Sequence, residues 1–149
     1  TPTGQSNLLN RYNGYTDALK NYSDTTSVIF LEESLHGDKL KTARRLFTKK
    51  IITSLPDVII TSNDLIAQGI ISAAHENGIN IPNDMQITGF DDSLSSAYFI
   101  PSVTTVSQNI DELAKRCFSM LMDLINKKSA VSSIIEQNII ARNSAKINI

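Results

Sequence analysis

The stretch P-D-V-I-I-T-S-N-D, from Pro56 to Asp64, decides the fold class because it contains a complete passage from strand to helix. Asp57 to Thr61 is a short apolar and β-branched run that follows a proline, which predicts a buried strand. Ser62-Asn63-Asp64 is a natural helix N-cap, and a helix is predicted from there to Glu76. A strand that leads directly into a helix is the repeating unit of an α/β fold with a parallel sheet.

Helix-like and strand-like segments alternate on both sides of this stretch. The sequence predicts further helices over Asn7 to Tyr22, Asp38 to Ile52 and Ile110 to Lys127, and further strands over Ser27 to Leu31, Met85 to Phe90, Thr104 to Val106 and Ser133 to Ala141. We expect an apolar loop from Ser93 to Ser102, between the strands predicted over Met85 to Phe90 and Thr104 to Val106. The order of residues 142–149 is left open by the sequence. The alternation predicts one domain over residues 1–149, a Rossmann-like α/β fold with a mainly parallel sheet flanked by helices.

The helix predicted over residues 110–127 has the strongest amphipathic pattern. Asn109 and Glu112 have the spacing of a capping box, which predicts the start of the helix. Its wide apolar stripe consists of Ile110, Leu113, Ala114, Cys117, Met120, Leu121, Leu124 and Ile125. A stripe this wide predicts a helix that is buried on more than one side.

Composition excludes several classes of protein. With 14 basic and 15 acidic residues mixed along 149 residues, the chain lacks the basic surface that a phosphate backbone demands, so it is not expected to bind DNA by itself. Cys117 is the single cysteine, and with only His36 and His75 as histidines we expect no disulfide and no metal site. No signal peptide and no apolar run long enough for a membrane span are visible, which predicts a soluble, cytoplasmic protein without a membrane partner.

No catalytic constellation is visible in the sequence. A Cys/His pair with a nearby carboxylate, a G-x-S-x-G elbow and a phosphate-cradling glycine loop are all missing, so we expect neither an enzyme nor a cofactor. Asp91-Asp92 is the one pair of carboxylates that suggests acid/base chemistry. Adjacent residues on an extended chain point in opposite directions, however, and such a pair seldom faces one substrate.

Polar residues follow two of the predicted strands. In open parallel sheets ligands bind outside the carboxyl ends of the strands, where Asn63 follows the first and Asp91 the second. An amide and a carboxylate together supply the donors and acceptors that vicinal sugar hydroxyls need. The alternative is that both residues only cap a helix or a turn.

Two further polar residues are candidates for the same crevice. Arg11, near the start of the first predicted helix, could offer its five donors to a ligand or to Asp91. The alternative is an ordinary exposed helix arginine. Gln108 stands just before a capped helix and is undecided on the pattern alone.

Four strings in this order and spacing resemble the LacI/GalR family of transcription regulators. They are R-Y-N-G-Y at 11–15 with Ala18-Leu19; P-D-V-I-I at 56–60 with Ser62-Asn63-Asp64 and Ala67 to Gly69; I-P-N-D-M at 81–85 with G-F-D-D at 89–92; and P-S-V-T-T-V-S-Q at 101–108. Each string is weak alone, but the four in register over nearly the whole chain are specific.

The resemblance implies a periplasmic-binding-protein-like fold, in which an effector binds between two α/β lobes. This chain would be the C-terminal lobe, with Arg11, Asn63, Asp91 and Gln108 lining the effector cleft. The resemblance also implies that residues 104–127 belong to the other, N-terminal lobe. The apolar stripe of that segment would then lack its partner, which predicts self-association or local disorder.

The resemblance further implies the partners. The effector would be a small carbohydrate or a sugar phosphate. The regulator would be a homodimeric repressor of a carbohydrate operon, and it would contact operator DNA only through a headpiece absent from this sequence. The candidates for the dimer interface are Ile70, Ile71, Tyr98, Phe99 and Ile100. For these five residues the alternative is ordinary packing within the chain.

One other class of protein shares the two lobes. A sugar-binding protein of an ABC-type uptake system would have a signal or lipoprotein sequence and no DNA-binding headpiece. The abrupt polar start at Thr1 indicates a fragment of a longer gene product, so the residues upstream would separate the two classes.

Overall fold

The computed structural model describes residues 6–20 and 38–147. The chain divides into two compact units, residues 1–38 and 39–149. In the first unit α1 spans Ser6–Leu19, which confirms the first predicted helix with slightly different ends. The strand predicted over Ser27 to Leu31 lies outside the described residues.

The second unit contains the strand-to-helix passage that decides the fold. Its elements are α2 (Lys39–Leu46), a π-helical turn (Phe47–Ile51), β1 (Val58–Ile60), α3 (Asp64–Glu76), β2 (Gln86–Thr88), α4 (Leu94–Tyr98), β3 (Thr105–Ser107), α5 (Ile110–Ile125) and β4 (Asn138–Ile140). The α3 helix has the predicted bounds. The predicted apolar loop instead contains the short helix α4, and the last strand is only three residues long.

The strands form two pairs that one bridge connects. β1 and β2 are parallel, with Val58 opposite Gln86 and Ile60 opposite Thr88. β3 and β4 are antiparallel. Thr88 and Thr104 form a parallel bridge between the two pairs, so the chain after β2 returns beside it. This is an α/β architecture with a parallel sheet and flanking helices, as predicted.

The core lies between α3, α2 and β2. Gly69 lets the two helices approach closely, because a Cβ at this position would lie 2.7 Å from the Leu40 carbonyl oxygen and 2.9 Å from Ala43 Cβ. Phe47 and Ile87 are fully buried in this core. Arg44 of α2 reinforces the contact through Glu76 of α3, with 2.7 Å between Nη2 and each carboxylate oxygen.

Ile70 and Ile71 belong to this core and not to the surface. Both side chains are buried within the chain, at 2% and 1% exposed, on a helix that packs against α2 and β2. The choice of these two residues as interface candidates is therefore corrected. Tyr98 and Ile100 are exposed, at 78% and 88%, and Phe99 is half-buried.

Two expectations about the edges of the fold are wrong. Val58 and Ile60 of β1 are exposed, since no described residue covers their side of the strand. Asn109 makes no capping hydrogen bond from its side chain, because its backbone is left-handed at φ 51°. The stretch after β4, whose order the sequence leaves open, is well organised up to residue 147: Ser144 is fully buried, and its Oγ donates to the Ile87 carbonyl over 2.6 Å.

The α5 helix also differs from its prediction. It has an apolar stripe, but none of its residues is buried, and large apolar side chains such as Phe118, Leu121 and Leu124 are exposed. The sequence pattern correctly predicts an apolar face on α5. The prediction that this face is buried within the chain is wrong. None of the described helices is both long enough and apolar enough to span a membrane.

Candidate functional site

The carboxyl ends of β1 and β2 lie at the same edge of the parallel pair. The Thr61 amide donates to the Thr88 carbonyl over 3.0 Å, and the Asp64 amide donates to the Phe90 carbonyl over 2.9 Å. These bonds keep the two chains together beyond the strands. Residues 62–64 and 89–92 therefore line one edge, as expected of a ligand crevice in an open parallel sheet.

The side chain of Asn63 caps a helix at this edge. Its Oδ1 accepts a hydrogen bond from the Ile66 amide over 3.1 Å and so caps α3. Asn63 therefore does cap a helix, and its place in the effector site stays a prediction. The cap uses only the amide oxygen, so the two N–H donors of the same side chain are not consumed by the helix.

Asp91 and Gln108 form a direct pair. Gln108 Nε2 donates to Asp91 Oδ1 over 2.6 Å, although the residues are 17 positions apart. The Asp91 amide donates to the Val106 carbonyl over 3.0 Å, which holds the end of β2 beside β3. The backbone of Asp91 has a φ of 110°, a conformation that side chains rarely adopt and that tends to occur at functional sites.

Asp92 has partners different from those of Asp91. Its carboxylate forms an ion pair with Arg142, with 2.6 Å between Oδ1 and Nη2. Its backbone also has positive φ, at 53°. The two adjacent carboxylates thus serve separate contacts.

Arg11 lies on α1 in the first unit, half-buried. Its assignment to the effector cleft stays a prediction. In the part of the chain that the structure describes, no group of three or more His, Cys, Asp or Glu side chains is arranged to hold a metal ion.

Sequence reasoning missed Asp64, the most buried charged residue of this edge. Only 1% of it is exposed, and its carboxylate accepts hydrogen bonds from the Thr105 and Ser96 hydroxyls and the Ser93 amide, over 2.6, 2.9 and 2.7 Å. The local signal is weak, since an acidic residue in the first turn of a helix is common. Gly89 gives a second signal: a Cβ there would lie 2.1 Å from Asp64 Oδ1, so the carboxylate occupies the space a side chain would need.

The arrangement offers a carboxylate and two amide side chains along one strand edge. Such a set accepts hydrogen bonds from hydroxyls and donates to their oxygens, which suits a polyhydroxylated small molecule.

The fold and this strand edge define a class of ligand-binding domain. The family model of the periplasmic binding protein-like domain matches residues 3–145, and the chain belongs to this family. The resemblance to LacI/GalR-type regulators is confirmed by the relatives that the chain matches.

Among curated relatives, the HTH-type transcriptional repressor PurR of Pasteurella multocida is 35% identical over 95 residues, which are 62% of this chain and 28% of that protein. A LacI family transcriptional regulator from Enterococcus faecium, solved with bound ribose, is 25% identical at a TM-score of 0.79, over 91% of this chain and 50% of the other. A periplasmic binding protein/LacI transcriptional regulator from Alkaliphilus metalliredigens, complexed with D-xylulofuranose, is 26% identical at a TM-score of 0.71, over 90% and 50%. The chain thus spans about half the length of these solved relatives.

Proposed function

We propose that this chain is the effector-binding and dimerisation part of a cytoplasmic LacI/GalR-type transcription regulator, a repressor of a carbohydrate operon. The single observation that carries the proposal is the Asp91–Gln108 pair, 2.6 Å apart at the carboxyl edge of β1 and β2. The effector is a small carbohydrate or a sugar phosphate.

The chemistry of the pair supports a sugar. An ionised carboxylate has about four acceptor positions, so Asp91 can accept from Gln108 and still accept from ligand hydroxyls. Hydrogen bonds to a charged acceptor are stronger than neutral ones, and they fix the orientation of a vicinal diol. The relatives solved with ribose and D-xylulofuranose make five-carbon sugars the first effectors to test.

Regulation follows from linkage between two sites. A sugar changes DNA affinity only if it binds the two arrangements of the protein with different affinities. The near-neutral charge of this chain, −1, supports an operator contact made elsewhere, through a DNA-binding headpiece.

Two exposed apolar surfaces support two further contacts, one with a second copy of the protein and one with a second lobe. We assign the surface of Tyr98, Phe99 and Ile100 to the homodimer interface, since exposed apolar side chains next to one another mark interaction sites. Of residues 104–127, we assign only the α5 part to the second lobe, because its apolar face is uncovered within this chain, whereas Thr104 and Thr105 are buried here.

A sugar-binding protein of an uptake system would use the same fold and the same strand edge. Curated relatives that match this chain include transcriptional repressors and a transcriptional regulator, which favours the regulator.

The test is operator-DNA affinity of the complete gene product at fixed salt, with and without ribose, xylulose and their phosphates. We expect one sugar to shift the DNA Kd, and Asp91→Ala to abolish the shift. Asp57→Ala removes an exposed carboxylate at the opposite, amino end of β1 and should leave the shift unchanged. Sugar binding without any DNA affinity would contradict the proposal and favour the uptake protein.

A further inference from the structure

Asp64 lies at the junction of the segments that carry the effector pair. We propose that it is a positioning residue, whose buried carboxylate sets the geometry of Asp91 and Gln108 without touching the effector. This inference deepens the proposed function and rests on it for the identity of the site. Its structural part can be tested without any ligand.

The donors that reach Asp64 come from both sides of the pair. Ser93 donates its backbone amide to Oδ2 over 2.7 Å and stands two residues after Asp91. Thr105 donates its hydroxyl to Oδ1 over 2.6 Å and stands three residues before Gln108. One carboxylate therefore ties the loop after β2 and the strand β3 to the start of α3.

The Thr105 hydroxyl also contacts the loop after β2 directly. The Asp92 amide points at Thr105 Oγ1 over 3.4 Å, so the hydroxyl accepts from the loop while its own proton goes to Asp64. In this series of hydrogen bonds, from the Asp92 amide to Thr105 and from Thr105 to Asp64, the last residue has to be an acceptor. A carboxylate has only acceptors, whereas an amide at this position would turn donors toward Thr105 or Ser93.

The loop needs such restraint because its backbone is strained. Asp91 and Asp92 have φ values of 110° and 53°, which non-glycine residues avoid unless the surroundings hold them there. The Asp64 amide donates to the Phe90 carbonyl over 2.9 Å, so backbone and side chain of one residue hold both ends of this turn. Without the carboxylate the turn should relax and move the Asp91 side chain away from Gln108.

The experiment removes one hydroxyl. Thr105→Val keeps the shape of this buried side chain and loses its bond to Asp64, and Thr105→Ser restores the hydroxyl. In the complete protein labelled with ¹⁵N-glutamine, the side-chain amide signals of Gln108, assigned by their loss in Gln108→Glu, report its bond to Asp91 in the absence of ligand. We expect these signals in Thr105→Val to move toward their positions in Asp91→Ala, and those in Thr105→Ser to stay near wild type.

Sugar titration supplies the second readout. We expect Thr105→Val to raise the Kd of the sugar roughly 10-fold, the loss typical of one hydrogen bond to a charged group, and Thr105→Ser to change it little. If Thr105→Val does not fold, Asp64→Asn is read in the same way.

The two proposals fail separately. Unchanged Gln108 signals in a folded Thr105→Val protein overturn the positioning role, even if Asp91→Ala abolishes sugar binding. If no sugar binds, the proposed function fails, and the Gln108 signals still decide whether Asp64 holds the pair. A lower denaturation midpoint without movement of these signals would show an ordinary structural role and would overturn the inference.

Discussion

Arg142 and Asp92 stand 50 residues apart in the sequence and meet in a half-buried ion pair, with 2.6 Å between Nη2 and Oδ1. Arg142 also donates from Nη1 to the Val103 carbonyl over 3.0 Å. Its backbone amide donates to Thr104 Oγ1 over 2.9 Å. Arg142, a single residue that follows β4, thus holds the loop after β2 and the start of β3 together, beside the proposed effector site.

Arg142→Ala should destabilise the protein by about 2–4 kcal/mol, because it leaves the Asp92 carboxylate and the Val103 carbonyl without their donor in a partly buried place. The side chains of Arg142 and Asp92 are only 18% and 26% exposed. The control is Lys20→Ala, which removes the Lys20–Asp17 pair, exposed at 75% and 66% and worth about 0–1 kcal/mol. Urea unfolding gives both free energies of unfolding. Equal losses would show that the Arg142 pair has no special weight.

Gly89→Ala should be strongly destabilising, by roughly 2 kcal/mol or more. The added Cβ would lie 2.1 Å from Asp64 Oδ1 and 3.1 Å from Val103 Cγ1, so the buried carboxylate would have to move. Gly14→Ala is the control, because among the described residues nothing lies within 4 Å of a Cβ there and the helix α1 gains a better helix former. We expect Gly14→Ala to leave stability unchanged or raise it by up to about 1 kcal/mol. Thermal unfolding of the two variants compares them directly, and a Gly89→Ala protein as stable as wild type would mean that Asp64 is not confined.

The parts of the fold that follow from local signals were predictable. The bounds of α3 are correct because both ends are marked in the sequence, by the Asn63 cap and by Gly78, which has a φ of 73°. β1 and β2 follow from their apolar runs. The burial of α5 was mispredicted because an apolar stripe shows that a face needs cover and not which polypeptide supplies it.

The candidate site likewise contains residues that the sequence indicates and residues that it does not. The sequence indicates Asp91 from its place after a strand, and both Asp91 and Gln108 from the family resemblance; the structure brings these two side chains together. Asp64 and Arg142 were missed because their roles depend on partners 41 and 50 residues away, which no spacing rule reaches. Long-range hydrogen bonds of this kind become visible only when the fold places the segments side by side.

Ile100→Glu should convert a dimer of the complete protein to a monomer. Its side chain is 88% exposed beside Tyr98, and two carboxylates facing each other across a symmetric interface would repel and lose apolar contact. Leu55→Glu changes an exposed leucine in the turn before β1 and should leave the dimer intact. Sedimentation over a range of protein concentrations measures both. A dimer that survives Ile100→Glu unchanged would move the interface away from Tyr98, Phe99 and Ile100.

The apolar face of α5 gives the last prediction. Leu121 and Leu124 are 53% and 59% exposed, and a second lobe that covers them would remove most of that area from water. In the complete protein the double change Leu121→Gln and Leu124→Gln should therefore cost about 2–5 kcal/mol of stability. In the 149-residue chain alone it should cost almost nothing and should reduce self-association, because there the same leucines face water or another copy.

Lys115→Gln, an exposed change on the same helix, is the matched control and should affect neither stability nor association. Denaturant unfolding measures the first effect, and sedimentation at several concentrations measures the second. A complete protein that tolerates the double change as well as the short chain does would contradict the assignment of α5 to the second lobe, because covered leucines cannot be made polar without loss. Such tolerance would leave α5 as a helix exposed in the whole regulator, and its apolar stripe would then have to serve a contact made only with another molecule.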